Sequence, residues 1–123
     1  MTTTYRGLQP GDAVRLAELS QEAMPRDGVD SRWLTENILL DRNFHPDGLI
    51  IAARDTRVVG FVYAVSNRHG TEHDPDEGWI TIGCVHPEFR RQGIGTELLR
   101  RALHHLRRNG ARQEGPQQPL VAT

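Results

Sequence analysis

From Trp79 to Leu106 the chain reads as a strand, a break and a helix in immediate succession, and the rest of the fold has to be built around that unit. Trp79-Ile80-Thr81-Ile82-Gly83-Cys84-Val85 is rich in β-formers and is stopped by Pro87. After two glycines, Leu98, Leu99, Ala102, Leu103 and Leu106 fall on one apolar stripe. Arg100, Arg101, His104, Arg107 and Arg108 lie mostly off it, and Asn109-Gly110 supplies a stop.

Upstream, residues 3 to 8 predict a first strand ended by Pro10-Gly11. Asp12 is then a candidate cap for a helix carrying Val14, Leu16, Ala17, Leu19 and Ala23. Pro25 to Gly28 breaks that pattern. Asp30 or Ser31 is positioned to cap a second helix, in which Trp33, Leu34, Ile38 and Leu39 recur at helical spacing, with its end near Asn43. Two β-rich runs follow, Leu49 to Ala53 and Val58 to Val65, joined by a hairpin turn at Arg54-Asp55-Thr56-Arg57. Ser66 to Gly78 is polar and predicts an exposed loop of the kind that carries substrate contacts. Beyond Gly110 the sequence reads as tail, and Leu120-Val121-Ala122 is its one run able to start a strand. The expected division is therefore a domain over 1–110 and a tail or beginning of a fifth strand over 111–123.

A chain of 123 residues suffices for one domain with one core. The formal net charge of -1 gives no global field toward nucleic acid or anionic membrane, so any anion site has to be local. One cysteine, Cys84, excludes an intrachain disulfide and a thiolate zinc cage, and it fits a reducing compartment. No apolar run approaches the roughly 20 residues that span a bilayer, and Met1 to Arg6 lacks the apolar core of a signal peptide; the expectation is a cytoplasmic protein.

The segment from Val85 to Thr96 carries the chemistry. The first N–H groups of a helix have no partner within it and sit at the positive end of the macrodipole, so phosphate oxygens accept from several at once. Gly93 and Gly95 allow close backbone approach, while Arg90 and Arg91 add mobile positive charge. As plain structure, the same segment is a strand-to-helix turn with glycines for geometry and arginines for solubility. It is neither a dinucleotide fingerprint, whose third glycine position holds Leu98, nor a P-loop with a Gly-Lys-Ser/Thr ending.

Val85-His86-Pro87-Glu88-Phe89-Arg90-Arg91-Gln92-Gly93-Ile94-Gly95-Thr96-Glu97-Leu98-Leu99 resembles the acetyl-CoA signature of the GNAT N-acetyltransferase superfamily. That signature is Arg or Gln, two residues, Gly, one residue, Gly or Ala, after a strand ending in Val-x-Pro. The order of strands and helices over residues 3 to 110 is similar to the family's. The resemblance implies a mixed, mainly antiparallel α/β (α+β) sheet flanked by helices, which stops after the cofactor-binding helix. It implies acetyl-CoA as cosubstrate. The diphosphate would lie on the backbone from Arg90 through Arg91, Gln92, Gly93, Ile94 and Gly95 to Thr96, and the pantetheine amides on the edge of Gly83, Cys84 and Val85.

The resemblance also implies transfer of an acetyl group to a primary amine by direct attack. The family's leaving-group tyrosine falls beyond this segment, and neither Tyr5 nor Tyr63 matches its position. For the base, Glu77 at the entrance of the last strand is the nearest carboxylate, beside Asp74 and Asp76. His69, Glu72, His73 and Asp74 match no firm metal-ligand spacing, and no metal is expected. His86 reads as a turn residue, Cys84 as a buried thiol, and the basic residues from Arg100 to Arg112 as a solvated helix end. The expected partner is a small-molecule or peptide amine, with neither membrane nor nucleic acid. The rival reading is a non-catalytic acyl-CoA-binding or assembly module, one half of a larger or tandem protein. A homodimer that completes the sheet by strand exchange is a further expectation.

Overall fold

A computed structural model of the chain describes residues 2–66, 77–108 and 112–113. The elements are β1 (Thr3–Arg6), α1 (Asp12–Ala23), α2 (Ser31–Leu34), β2 (Leu49–Arg54), β3 (Arg57–Ser66), β4 (Glu77–Val85), α3 (Ile94–Arg108) and β5 (Arg112–Gln113). Sheet order follows chain order, β1-β2-β3-β4-β5. The first four strands pair antiparallel and β5 joins β4 in parallel, giving the mixed, mainly antiparallel sheet.

Sequence alternation places the helices on both faces. On β3, Phe61, Tyr63 and Val65 join Leu16 and Leu19 of α1 and Leu34 and Ile38 in one core. Val62 and Ala64 join Ile94, Leu98, Ala102 and Leu106 of α3 in the other. A strand buried on both sides reads as a continuous apolar run, as Val58 to Val65 does. Each fully buried leucine on the α3 stripe contributes about 2 kcal/mol.

Several boundaries differ from the sequence reading. Gly11, not Asp12, occupies the cap of α1 with no side-chain hydrogen bond. The Asp12 carboxylate instead turns back to accept from Gln9 N at 2.6 Å and from Arg6 at 2.7 Å. Val14 is 64% exposed rather than in the core. Asp30 does cap α2 through Trp33 N at 2.9 Å. That helix widens into a π turn over Thr35–Leu39, closed by Leu40 N to Thr35 O at 2.9 Å, and so ends before Asn43. The hairpin turn is only Asp55-Thr56, with Asp55 in the left-handed region at φ 57°. β3 runs on to Ser66 and β4 begins at Glu77, so the expected loop is narrower, and 67–76 lies outside the described residues. A two-residue strand forms at Arg112–Gln113, where no β-former signals it, because Glu77 and Gly78 offer an edge to pair with. Leu120 to Ala122 lies outside the described residues.

Candidate functional site

The site is assembled where β4 ends. In the β2–β3 register Ala52 faces Gly60 while Ala53 faces Val58, which leaves Val59 as an extra, bulged residue. The Val59 carbonyl accepts from His86 N at 2.7 Å and fixes the exit of β4. The His86 ring is buried and its Nδ1 accepts from Glu88 N at 3.1 Å, capping the 3-10 turn Pro87–Phe89. An accepting Nδ1 assigns the proton to Nε2, which lies 2.6 Å from the Glu22 carboxylate. Glu22 is also held by Arg15 at 2.9 Å, and that hydrogen bond, with His86 adding to it, lowers its pKa. His86 is therefore a turn residue that also ties α1 to the strand exit.

Arg90 does not supply mobile charge. Its Nε donates to Val85 O at 3.1 Å and its terminal nitrogen to Ala23 O at 3.2 Å, so the guanidinium clamps the end of β4 to the end of α1. On the opposite flank Phe89 lies under Arg54 and Arg57, 5.4 and 5.3 Å from its ring centre. Arg54 donates to Gln92 Oε1 at 2.7 Å and to Thr3 Oγ1 at 2.8 Å. Arg15, Glu22, Arg54 and Arg57 had no motif to mark them; each reaches the segment only through the folded chain.

Held on both sides, the backbone of the loop alternates in hand. Arg91 (φ 64°) and Gly93 (φ 82°) are left-handed with Gln92 between them, an arrangement that turns successive amides toward one side. The first helical bond of α3 runs from Glu97 N to Gly93 O at 3.0 Å. The amides of Ile94, Gly95 and Thr96 precede it and have no acceptor within the helix. A Cβ at Gly93 would meet nothing within 4 Å, so the space above this residue is open. Glu97, in the first turn, is neutralised by hydrogen bonds from Arg100 and Arg101 at 2.6 Å, which bring its pKa down to about 2.

Along β4, Gly83, Cys84 and Val85 are buried, and β5 pairs with Glu77 and Gly78 alone. Among the described residues, no strand pairs with the outer edge at Gly83 to Val85, where the Val85 carbonyl accepts from Arg90. A second bulge falls at Thr81, since Tyr63 faces Ile82 and Ala64 faces Ile80. Burial pushes the Cys84 thiol up to about 12, which makes it a poor nucleophile. Glu77 is the first residue of β4, about 20 Å along the strand from Gly83 at the usual rise. Tyr63 is fully buried, donates to Asp41 at 2.7 Å and has its pKa raised, chiefly by burial. The candidate metal residues His69, Glu72, His73 and Asp74 lie outside the described residues. Among those described, no group of three or more His, Cys, Asp or Glu is placed to hold a metal, and no helix is long and apolar enough to cross a membrane.

A sheet of this order, helices on both faces and a glycine turn between the fourth strand and a helix together define an acyltransferase-type α/β fold. The chain belongs to the Acetyltransferase (GNAT) family, whose pattern matches residues 13–114. It is 30% identical over 112 residues to the mycothiol acetyltransferase of Thermomonospora curvata, a match covering 87% of this chain and 35% of that protein. The chain thus spans about a third of that relative's length. Among solved structures it resembles a GNAT family acetyltransferase from Brucella melitensis in complex with acetyl-CoA, with TM-score 0.70 and 20% identity over 90% of this chain and 72% of that one. It also resembles a GCN5-related N-acetyltransferase from Sphaerobacter thermophilus, with TM-score 0.69 and 26% identity over 92% of this chain and 35% of that one.

Proposed function

We propose that the protein transfers an acetyl group from acetyl-CoA to a primary amine, with the diphosphate seated on the start of α3. The observation that carries this reading is the row of amides at Ile94, Gly95 and Thr96 beneath an open, left-handed Gly93. Charge-assisted hydrogen bonds to such amides are worth about 1.5–3 kcal/mol each. Arg91 and Gln92 contribute backbone to the same turn. The clamp through Arg90 and His86 keeps its shape, and the edge of Gly83, Cys84 and Val85 receives the pantetheine amides. Bound there, acetyl-CoA supplies an activated acyl carbon, and the task of the chain is to hold that carbon against a neutral amine nitrogen. Glu77 is assigned as the group that accepts the amine proton.

Isothermal titration of acetyl-CoA into the protein and its Gly93→Asp variant tests the reading. Saturable binding that the variant loses supports it, because the new carboxylate repels the diphosphate. A well-folded parent that binds no acetyl-CoA at millimolar concentration refutes it. The second reading, a non-catalytic acyl-CoA-binding half of a larger protein, draws on the greater length of the relatives. It predicts binding with no turnover across a panel of amines.

A further inference from the structure

A cavity of about 230 Å³ lies between β1, the turn Pro46–Gly48, β2 and the C-terminal half of α3. His104, on its wall, is nine residues along α3 from Gly95, about 14 Å at 1.5 Å per residue, so the cavity is separate from the loop. Its lining includes Arg6, Arg101, His104, His105 and Arg108, and Asp47 is the one carboxylate among the described residues that line it. The structure assigns to this cavity a small multivalent oxyanion, a di- or tricarboxylate or a phosphate.

The convergence of cations from two elements carries the inference. Basic residues near a helix C-terminus are favoured by the macrodipole, and that alone accounts for Arg107 and Arg108 on α3. It does not account for Arg6, which comes from β1 to line the same concavity. Arg6 is held by Asp12 at 2.7 and 3.1 Å and by the Gly7 carbonyl at 2.9 Å. Arg101 is held by Glu97 at 2.6 Å and lies 4.4 Å over the Tyr5 ring, which also lines the cavity. Asp12 and Glu97 themselves are not part of the lining. Both guanidinium groups are thus ion-paired by carboxylates outside the cavity, which fixes the direction of their remaining N–H donors.

The floor is also built. His105 is buried and its ring centre lies 5.7 Å from that of His45. A Cβ at Gly48 would stand 2.3 Å from Ala64 O and 3.2 Å from His105 Nε2, so glycine alone lets the turn sit this deep. His104 and Arg108 are exposed on the helix side of the cavity. The volume falls below the roughly 300–1,000 Å³ of drug-sized sites, which selects a small anion.

Backbone amide NMR at constant ionic strength in chloride, titrated with citrate and separately with inorganic phosphate, tests the assignment. The expected result is saturable shifts at Gly7, Leu49, His104 and Arg108. Arg108→Gln should weaken binding about tenfold through loss of a charge-assisted hydrogen bond. Arg107→Gln, with the same charge change outside the lining, should leave it unchanged. Tighter binding of citrate identifies the site as one for carboxylates, and tighter binding of phosphate as one for phosphates. Linear, unsaturable drift, or equal weakening by the two substitutions, overturns the assignment. Shifts confined to Gly93–Thr96 overturn it too while leaving the proposed cofactor loop standing.

Discussion

Replacing Arg90 with methionine keeps most of the side chain's length and apolar packing but removes both of its hydrogen bonds. The carbonyls of Val85 and Ala23 then lose donors at 3.1 and 3.2 Å in a partly buried setting. With a charged donor worth about 1.5 kcal/mol at each partly solvated acceptor, the variant loses roughly 2–3 kcal/mol of stability. For a domain of this size that lowers Tm by about 8–12 °C, and it shifts the denaturant midpoint without changing the slope. Lysine at this position should fall between the two, since one ammonium cannot bridge two carbonyls as a planar fork does. The assay is urea unfolding without ligand, paired with acetyl-CoA titration of the folded variant. A methionine variant within about 0.5 kcal/mol of the parent that nevertheless loses ligand binding would refute the clamp, and would make Arg90 a direct ligand of the diphosphate.

Cys84 should resist a disulfide reagent at pH 8, where a thiol with pKa about 12 is thiolate in only about one molecule in 10⁴, and react in step with unfolding; fast labelling of native protein would contradict its burial. Glu97→Gln should destabilise the protein at neutral pH. The carboxyl pKa falls from 4.5 to about 2 on folding, so the gap between parent and variant is full above 4.5 and closes as pH drops toward 2. A gap that persists at pH 2 would show the arginine pairing is not its source. Gly93→Ala should fold at a cost of about 1 kcal/mol, because φ 82° strains any side chain; no loss in chemical denaturation would mean that the turn relaxes to another hand.

The strands and helices were legible wherever burial imposes a period. The stripe of Leu98, Ala102 and Leu106 marks α3, and the dense apolar run of β3 marks a strand covered on both faces. The glycine loop was legible because Gly93 takes a left-handed backbone that its residue type signals locally. What the sequence hid is long-range pairing. Arg90 looks like a loop cation until Ala23, 67 residues away, is brought to its guanidinium. Asp12 looks like a helix cap until Arg6 and Gln9 N draw its carboxylate backward. Glu22 carries no local sign of its partnership with His86. The strand at Arg112–Gln113 is likewise set by the edge it meets rather than by its own residues.

The loop is framed by Arg15, Arg54, Arg57 and Arg90, and the chain has fifteen arginines and no lysine. A guanidinium stays protonated above pH 12 and is a poor nucleophile toward thioesters, whereas a lysine amine in the same place would attack one. On the proposed function, these 123 residues therefore present no lysine amine that could capture the acyl group.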